Sequence, residues 1–158
     1  MSICFILNGK NVATDSPADT TLLKVLREEM HMYGVKRGCE TGECGACTVL
    51  VDGENINSCM MLVGEIEGKS ITTIEGLTTD GELDPIQRAF AEKGAVQCGF
   101  CTPGMIMSVK GLLNRNPNPT RAEIKEALSG NLCRCTGYEQ IFEAVESLIE
   151  GRKSNNNG

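Results

Sequence analysis

The chain has 158 residues, 41% of them apolar and 23% charged, which is enough for one ordinary domain or two small ones with a buried core. Its net charge is −6, aromatic residues make up only 4% and tryptophan is absent, so both the phosphate-tracking basic surface and the stacking platforms of a nucleic-acid binder are missing. The N-terminal "MSICFILNGKNVATD" has no basic n-region and no long apolar core, and no apolar run approaches the ~20 residues of a membrane span, which points to a cytoplasmic protein. Nine cysteines, an odd number, in a reducing compartment then argue for metal rather than a disulfide scaffold.

The first half alternates. "ICFILNGKNVATD" predicts two short strands about a turn at Asn8-Gly9, the strongest short hairpin signal. "TLLKVLREEM" predicts a helix with Leu22, Leu23, Leu26 and Met30 on one face. "CTVLVDGENINSC" predicts a second hairpin turning at Asp52-Gly53, and "KSITTI" a last strand. Strands crossed by one helix make a small α+β domain of residues 1–76. The Gly-, Thr- and acid-rich stretch 75–83 reads as a linker.

The second half, 77–153, carries helix start and stop signals. Asp84-Pro85 is an N-cap with a proline behind it, and Gly94 marks the end of that helix. Thr102-Pro103 repeats the device ahead of "GMIMSVKGLLN". Thr120 and Glu123 form a capping box, with Gly130 as the stop. "YEQIFEAVESLIE" places Ile141, Phe142, Val145, Leu148 and Ile149 on one face and stops at Gly151. Four short helices predict an all-α bundle, followed by a polar, disordered tail over 154–158.

Eight cysteines fall into two sets. Cys39, Cys44 and Cys47 are spaced C-x4-C-x2-C, and Cys59 follows after eleven intervening residues. This is the plant-type spacing for a [2Fe-2S] cluster. A loop wrapped around an anionic core must aim thiolates and backbone N–H groups inward. Gly38, Gly42 and Gly45 allow the positive φ and close approach that this needs. A structural zinc site favours paired C-x2-4-C motifs and fits this loop poorly. The second set, Cys98 and Cys101 in "QCGFCTPG" with Cys133 and Cys135 in "GNLCRCTGY", lies at helix ends, and anionic thiolates gain from the dipole at helix N-termini. Its spacing alone is ambiguous between zinc and iron.

Together "GCETGECGACTV", "NSC", "QCGFCTPG" and "GNLCRCTGY" resemble, in order, the motifs of the iron–sulfur subunit of the xanthine oxidase (molybdenum hydroxylase) family, from about residue 3 to about residue 150. The resemblance implies a plant-ferredoxin-like β-grasp domain followed by an all-α four-helix bundle domain. It implies one [2Fe-2S] cluster in each: a flavin-proximal one on Cys39, Cys44, Cys47 and Cys59, and a molybdenum-proximal one on Cys98, Cys101, Cys133 and Cys135. Gln97 matches a glutamine that hydrogen-bonds the pterin, and Cys135 a ligand whose sulfur approaches the pterin amine. Molybdopterin and FAD would sit on a large and a medium partner subunit, in a dimer of heterotrimers. This chain would relay electrons between them, with no substrate chemistry of its own. A free-standing ferredoxin and a zinc-stabilised interaction module are the competing readings. The second four-cysteine set argues against the ferredoxin.

The remaining chemistry-bearing residues have plainer expectations. Cys4, in an apolar strand, reads as a buried inert thiol. His31 reads as a helix-end charge. Met105 and Met107 read as packing residues, and Arg134 as a charge that offsets the cluster or pairs with the partner subunit. The identity of any substrate lies beyond this chain.

Overall fold

The computed structural model of the chain describes residues 2–155. Strands β1 (Ile3–Leu7) and β2 (Lys10–Thr14) pair antiparallel about Asn8-Gly9, with Leu7 opposite Lys10. Both turn residues have positive φ, 49° and 81°, as a two-residue hairpin that matches strand twist requires. β3 (Thr48–Val51) and β4 (Glu54–Asn57) repeat this about Asp52-Gly53, at 50° and 86°. β5 (Ser70–Thr72) slots between the hairpins, parallel to β1 and antiparallel to β3, giving a mixed sheet of order β2-β1-β5-β3-β4.

One helical segment covers the sheet. It begins as α1 (Leu22–Lys24) and widens into a π-helical turn over Val25–Glu29. The Met30 N–H donates to the Val25 carbonyl, five residues back. That widening shifts the apolar face, so Val25 joins Leu22, Leu23 and Leu26 in the core and Met30 is left half-buried. The segment packs with Phe5, Leu7, Val49, Val51 and Ile71 in a first hydrophobic core. Strand alternation sends Phe5 and Leu7 into that core and turns Cys4 outward. Cys4 is therefore exposed, not the buried thiol that its apolar neighbours suggest. His31 follows the segment at φ 57°, with its Nδ1 3.0 Å from the Tyr33 hydroxyl.

Residues 75–83 are shaped rather than slack. A turn at Asp80-Gly81 is closed by Thr79 and Glu82, and Leu77 is buried in a second core. Four helices surround that core: α2 (Pro85–Glu92), α3 (Thr102–Arg115), α4 (Arg121–Leu128) and α5 (Glu139–Asn155). Asp84 caps α2 by accepting from the Ile86 N–H at 2.9 Å, and its other oxygen accepts from Lys110 Nζ at 2.7 Å. Thr120 and Glu123 cap α4 reciprocally. The cap of α3 is Cys101 rather than Thr102: Thr102 already belongs to the first turn, and its hydroxyl is buried without a partner among the described residues.

Helix α3 is buried on nearly all sides, Gly104–Val109 and Gly111–Leu113 included, because α2, α4 and the β3–β4 hairpin all pack on it. Met105 and Met107 therefore both lie in the core although they point different ways. β3 is likewise buried on both faces. Val49 and Val51 face the first core and Leu50 the second. Helix α5 does not stop at Gly151 but continues through Asn155, so Ser154 and Asn155 are helical and not part of a disordered tail; residues 156–158 lie outside the described residues. One glycine costs a helix only ~1 kcal/mol against alanine, and Arg152 and Lys153 in the last turn complement the helix dipole. Among the described residues no helix is long and apolar enough to cross a membrane.

Candidate metal centres

The first cysteine loop is anchored before it begins. The Arg27 guanidinium, on the π-helical turn, donates to the carbonyls of Tyr33 at 3.1 Å and Val35 at 2.7 Å. The chain then coils on itself through positive φ at Glu40, Gly42 and Gly45. Gly38 serves close approach rather than a special φ: a Cβ there would lie 2.6 Å from Cys44 Sγ.

The coil points backbone donors at sulfur. Cys39 Sγ accepts from the N–H groups of Thr41, Glu43 and Cys44 at 3.3, 3.4 and 3.3 Å. Cys44 Sγ accepts from Cys39 at 3.3 Å and Ala46 at 3.5 Å. The Thr41 hydroxyl foremost, and then the N–H groups of Thr41, Cys44 and Glu43, hold the Cys39 thiol at about 6. The other two cysteines of the set are buried side by side. Burial first, and then the adjacent Cys47, push Cys59 up to about 11. Two thiolates cannot share such a wall without a cation to neutralise them, and a bound metal does so. At the rim Arg37 pairs with Glu28 at 3.0 Å and with Glu40 at 2.9 Å.

The second set draws on two chain segments. Cys98 and Cys101 precede and cap α3, on either side of Gly99 at φ 82°. Cys133 and Cys135 lie in the α4–α5 connection, where the Cys133 N–H donates to the Tyr138 hydroxyl at 2.8 Å. Folding brings Cys101 against Cys133 and Cys98 against Cys135. Burial, and then Cys133, push Cys101 up to about 12. For Cys133 burial is the largest single influence and opposes ionisation. It is outweighed by the Thr136 hydroxyl and N–H, at 3.1 and 3.4 Å, and by further donors, so the thiol lies below its usual value. Cys135 is raised, chiefly by Cys98.

Both sets thus contain a more buried and a more exposed pair. Among the described residues no three His, Cys, Asp or Glu side chains converge on a single metal-ion position. Gln97 and Arg134 are exposed beside the outer pair of the second set, and Val96, Phe100 and Leu132 are exposed around them. Thr41 and Thr136, which donate to sulfur, were not singled out by sequence reasoning. Their signal was a hydroxyl residue within three positions of a metal-spaced cysteine. The two sets also touch: the Leu132 N–H donates to the Cys44 carbonyl at 2.9 Å.

Thiol donors with backbone N–H groups aimed at their sulfurs suit iron–sulfur clusters, and a mixed-sheet half joined to a helical half defines an electron-transfer protein with two of them. Residues 5–72 match the family model for a "2Fe-2S iron-sulfur cluster binding domain", and residues 73–146 that for a "[2Fe-2S] binding domain". The chain is 49% identical over 144 residues to the nicotinate dehydrogenase small FeS subunit of Eubacterium barkeri, covering 91% of this chain and 92% of that protein. It is 49% identical over 141 residues to the xanthine dehydrogenase iron-sulfur-binding subunit of Escherichia coli O157:H7, covering 88% of each. A chain of the crystal structure of quinoline 2-oxidoreductase from Pseudomonas putida 86 superimposes with a TM-score of 0.91 at 42% identity, covering 98% of this chain and 96% of that one. The protein belongs to the iron–sulfur subunits of the xanthine oxidase family, and it is the electron-transfer component of a multi-subunit oxidoreductase. A free-standing ferredoxin is not favoured.

Proposed function

We propose that Cys39, Cys44, Cys47 and Cys59 hold one [2Fe-2S] cluster and that Cys98, Cys101, Cys133 and Cys135 hold the other. The observation that carries this is that folding gathers the thiols of each set, Cys59 near Cys47 and Cys39, and Cys101 near Cys133 and Cys98, with N–H donors on the sulfurs. When bound, each cluster supplies a one-electron couple, and two in series pass on an electron pair. The chain's own residues keep each site at a fixed place, supply N–H groups that favour the thiolate form and shield the inner pairs from water.

The division falls at residues 76/77. A plant-ferredoxin-like β-grasp domain spans 1–76 and a four-helix bundle spans 77–153; the two hydrophobic cores support this division. The surface of Gln97, Cys98 and Cys135 would face the molybdopterin of a large subunit, with Gln97 bonding the pterin. The Cys39 side would face FAD on a medium subunit. The complex would be a cytoplasmic dimer of heterotrimers. The relatives' names specify nicotinate and xanthine dehydrogenases, so a nitrogen heterocycle is the substrate class to try first with the assembled enzyme.

The test is iron and acid-labile sulfide content with low-temperature EPR on dithionite-reduced protein. About four irons per chain and two rhombic signals are expected, with Cys135→Ser removing one signal and sparing the other. About two irons with a single signal, or a Cys135→Ser protein with both signals unchanged, would overturn the assignment.

A further inference from the structure

Between the two cysteine sets lies a buried amide that neither set uses. Asn131, two residues before Cys133, is 4% exposed. Its Nδ2 donates to the Gly45 carbonyl at 3.1 Å and approaches Thr48 Oγ1 at 3.5 Å. Its Oδ1 accepts from Ser108 Oγ at 2.7 Å. The Gly45 carbonyl can only accept, so the amide has one orientation here. Ser108 lies on α3, which Cys101 caps, and its carbonyl accepts from Asn55 Nδ2 of β4 at 3.1 Å. Gly45 follows Cys44, and Thr48 follows Cys47.

One side chain is thus bonded at once to the first cysteine loop and to α3 while rooted in the second cysteine loop. The seam around it is closed to adjustment. A Cβ on Gly45 would lie 2.4 Å from the Gly130 carbonyl, and one on Gly104 would lie 2.3 Å from the Gly45 carbonyl. The Leu132 N–H donates to Cys44 in the same seam. An apolar side chain could fill this volume, but apolar contacts tolerate sliding. Directional bonds to a buried carbonyl and hydroxyl do not, because any slip leaves buried polar atoms unmet.

We propose that Asn131 is a positioning residue for inter-cluster electron transfer: it sets the spacing and mutual orientation of the two cluster sites. This rests on the cluster assignment above. The seam belongs to this chain alone, so it holds whichever substrate the partner subunit takes.

The experiment compares the dithionite-reduced holoenzyme carrying wild-type chain, Asn131→Leu, Asn131→Asp or Ser108→Ala. It reads iron content and the magnetic splitting between the two cluster signals, which falls steeply with their separation. Asn131→Leu is expected to keep both clusters and narrow the splitting. Asn131→Asp, which retains the acceptor for Ser108 but sets a carboxylate oxygen against the Gly45 carbonyl, should narrow it at least as far. Ser108→Ala should shift the splitting slightly in the same direction. Unchanged splitting in Asn131→Leu with full iron content overturns the inference and leaves the cluster assignment standing. If Asn131→Leu fails to assemble, Ser108→Ala decides: a narrowed splitting supports the positioning role, and an unchanged one overturns it. A wild-type complex with only one cluster signal overturns the assignment and this inference with it.

Discussion

The two cysteine sites solve the same chemical problem in different ways. The first is nearly all one loop: three of its four thiols lie within nine residues, and its N–H donors come from the loop itself. The second is assembled from segments more than thirty residues apart, held together by the packing of α3 between α4, α2 and the sheet. A local site is written in backbone conformation and fails through the backbone. A composite site is written in a hydrophobic core and fails through the core.

This contrast can be broken from either side. Phe90, 1% exposed in the helical core, should cost ~3–5 kcal/mol when replaced by alanine. Urea denaturation should report that loss, and EPR should show the second cluster's signal weakened while the first persists. Equal loss of both would mean that the halves do not differ in this way. Gly38→Ala makes the opposite cut. Its new Cβ, 2.6 Å from Cys44 Sγ, should abolish or broaden the first signal and spare the second, with the helical fold intact by circular dichroism.

A subtler asymmetry concerns the free thiols. In cluster-free protein the thiolate is the reactive form. With Cys39 held at about 6, roughly nine-tenths of it is ionised at pH 7. Its alkylation rate should plateau near neutrality, while Cys101, at about 12, and Cys59, at about 11, should react slowly and still be rising above pH 9. Iodoacetamide labelling mapped by mass spectrometry checks the order. A faster Cys101 would contradict the burial that sets it.

The smallest effect is expected at a helix cap. Thr120→Ala should cost ~1 kcal/mol, with both signals retained. The Thr120 N–H, and then its hydroxyl, hold the Glu123 carboxyl below the usual range. A depressed carboxylate contributes stability above its unfolded pKa and loses it as pH falls through the folded one. The gap between wild type and variant in urea midpoint should therefore shrink in acid.

The sequence by itself determined what depends on near neighbours. Asn8-Gly9 and Asp52-Gly53 turn because their residues tolerate positive φ, Asp84 and Thr120 cap because a short polar side chain reaches an N–H two or three residues on, and the spacing of Cys39, Cys44 and Cys47 defines a loop that a cluster can fill. Gly151 misled, because a glycine's modest penalty is outweighed when its neighbours favour helix. Cys4 misled because a run of apolar letters conceals which parity of the strand faces inward.

Only the tertiary structure decided the rest. It buried β3 on both faces, enclosed α3 on nearly all sides, brought Cys98 to Cys135 and Cys101 to Cys133, and set Asn131 between the two loops. These features come from the packing of segments far apart in the chain. No local preference encodes them, since the same apolar residues satisfy a strand or helix buried on one side or on two.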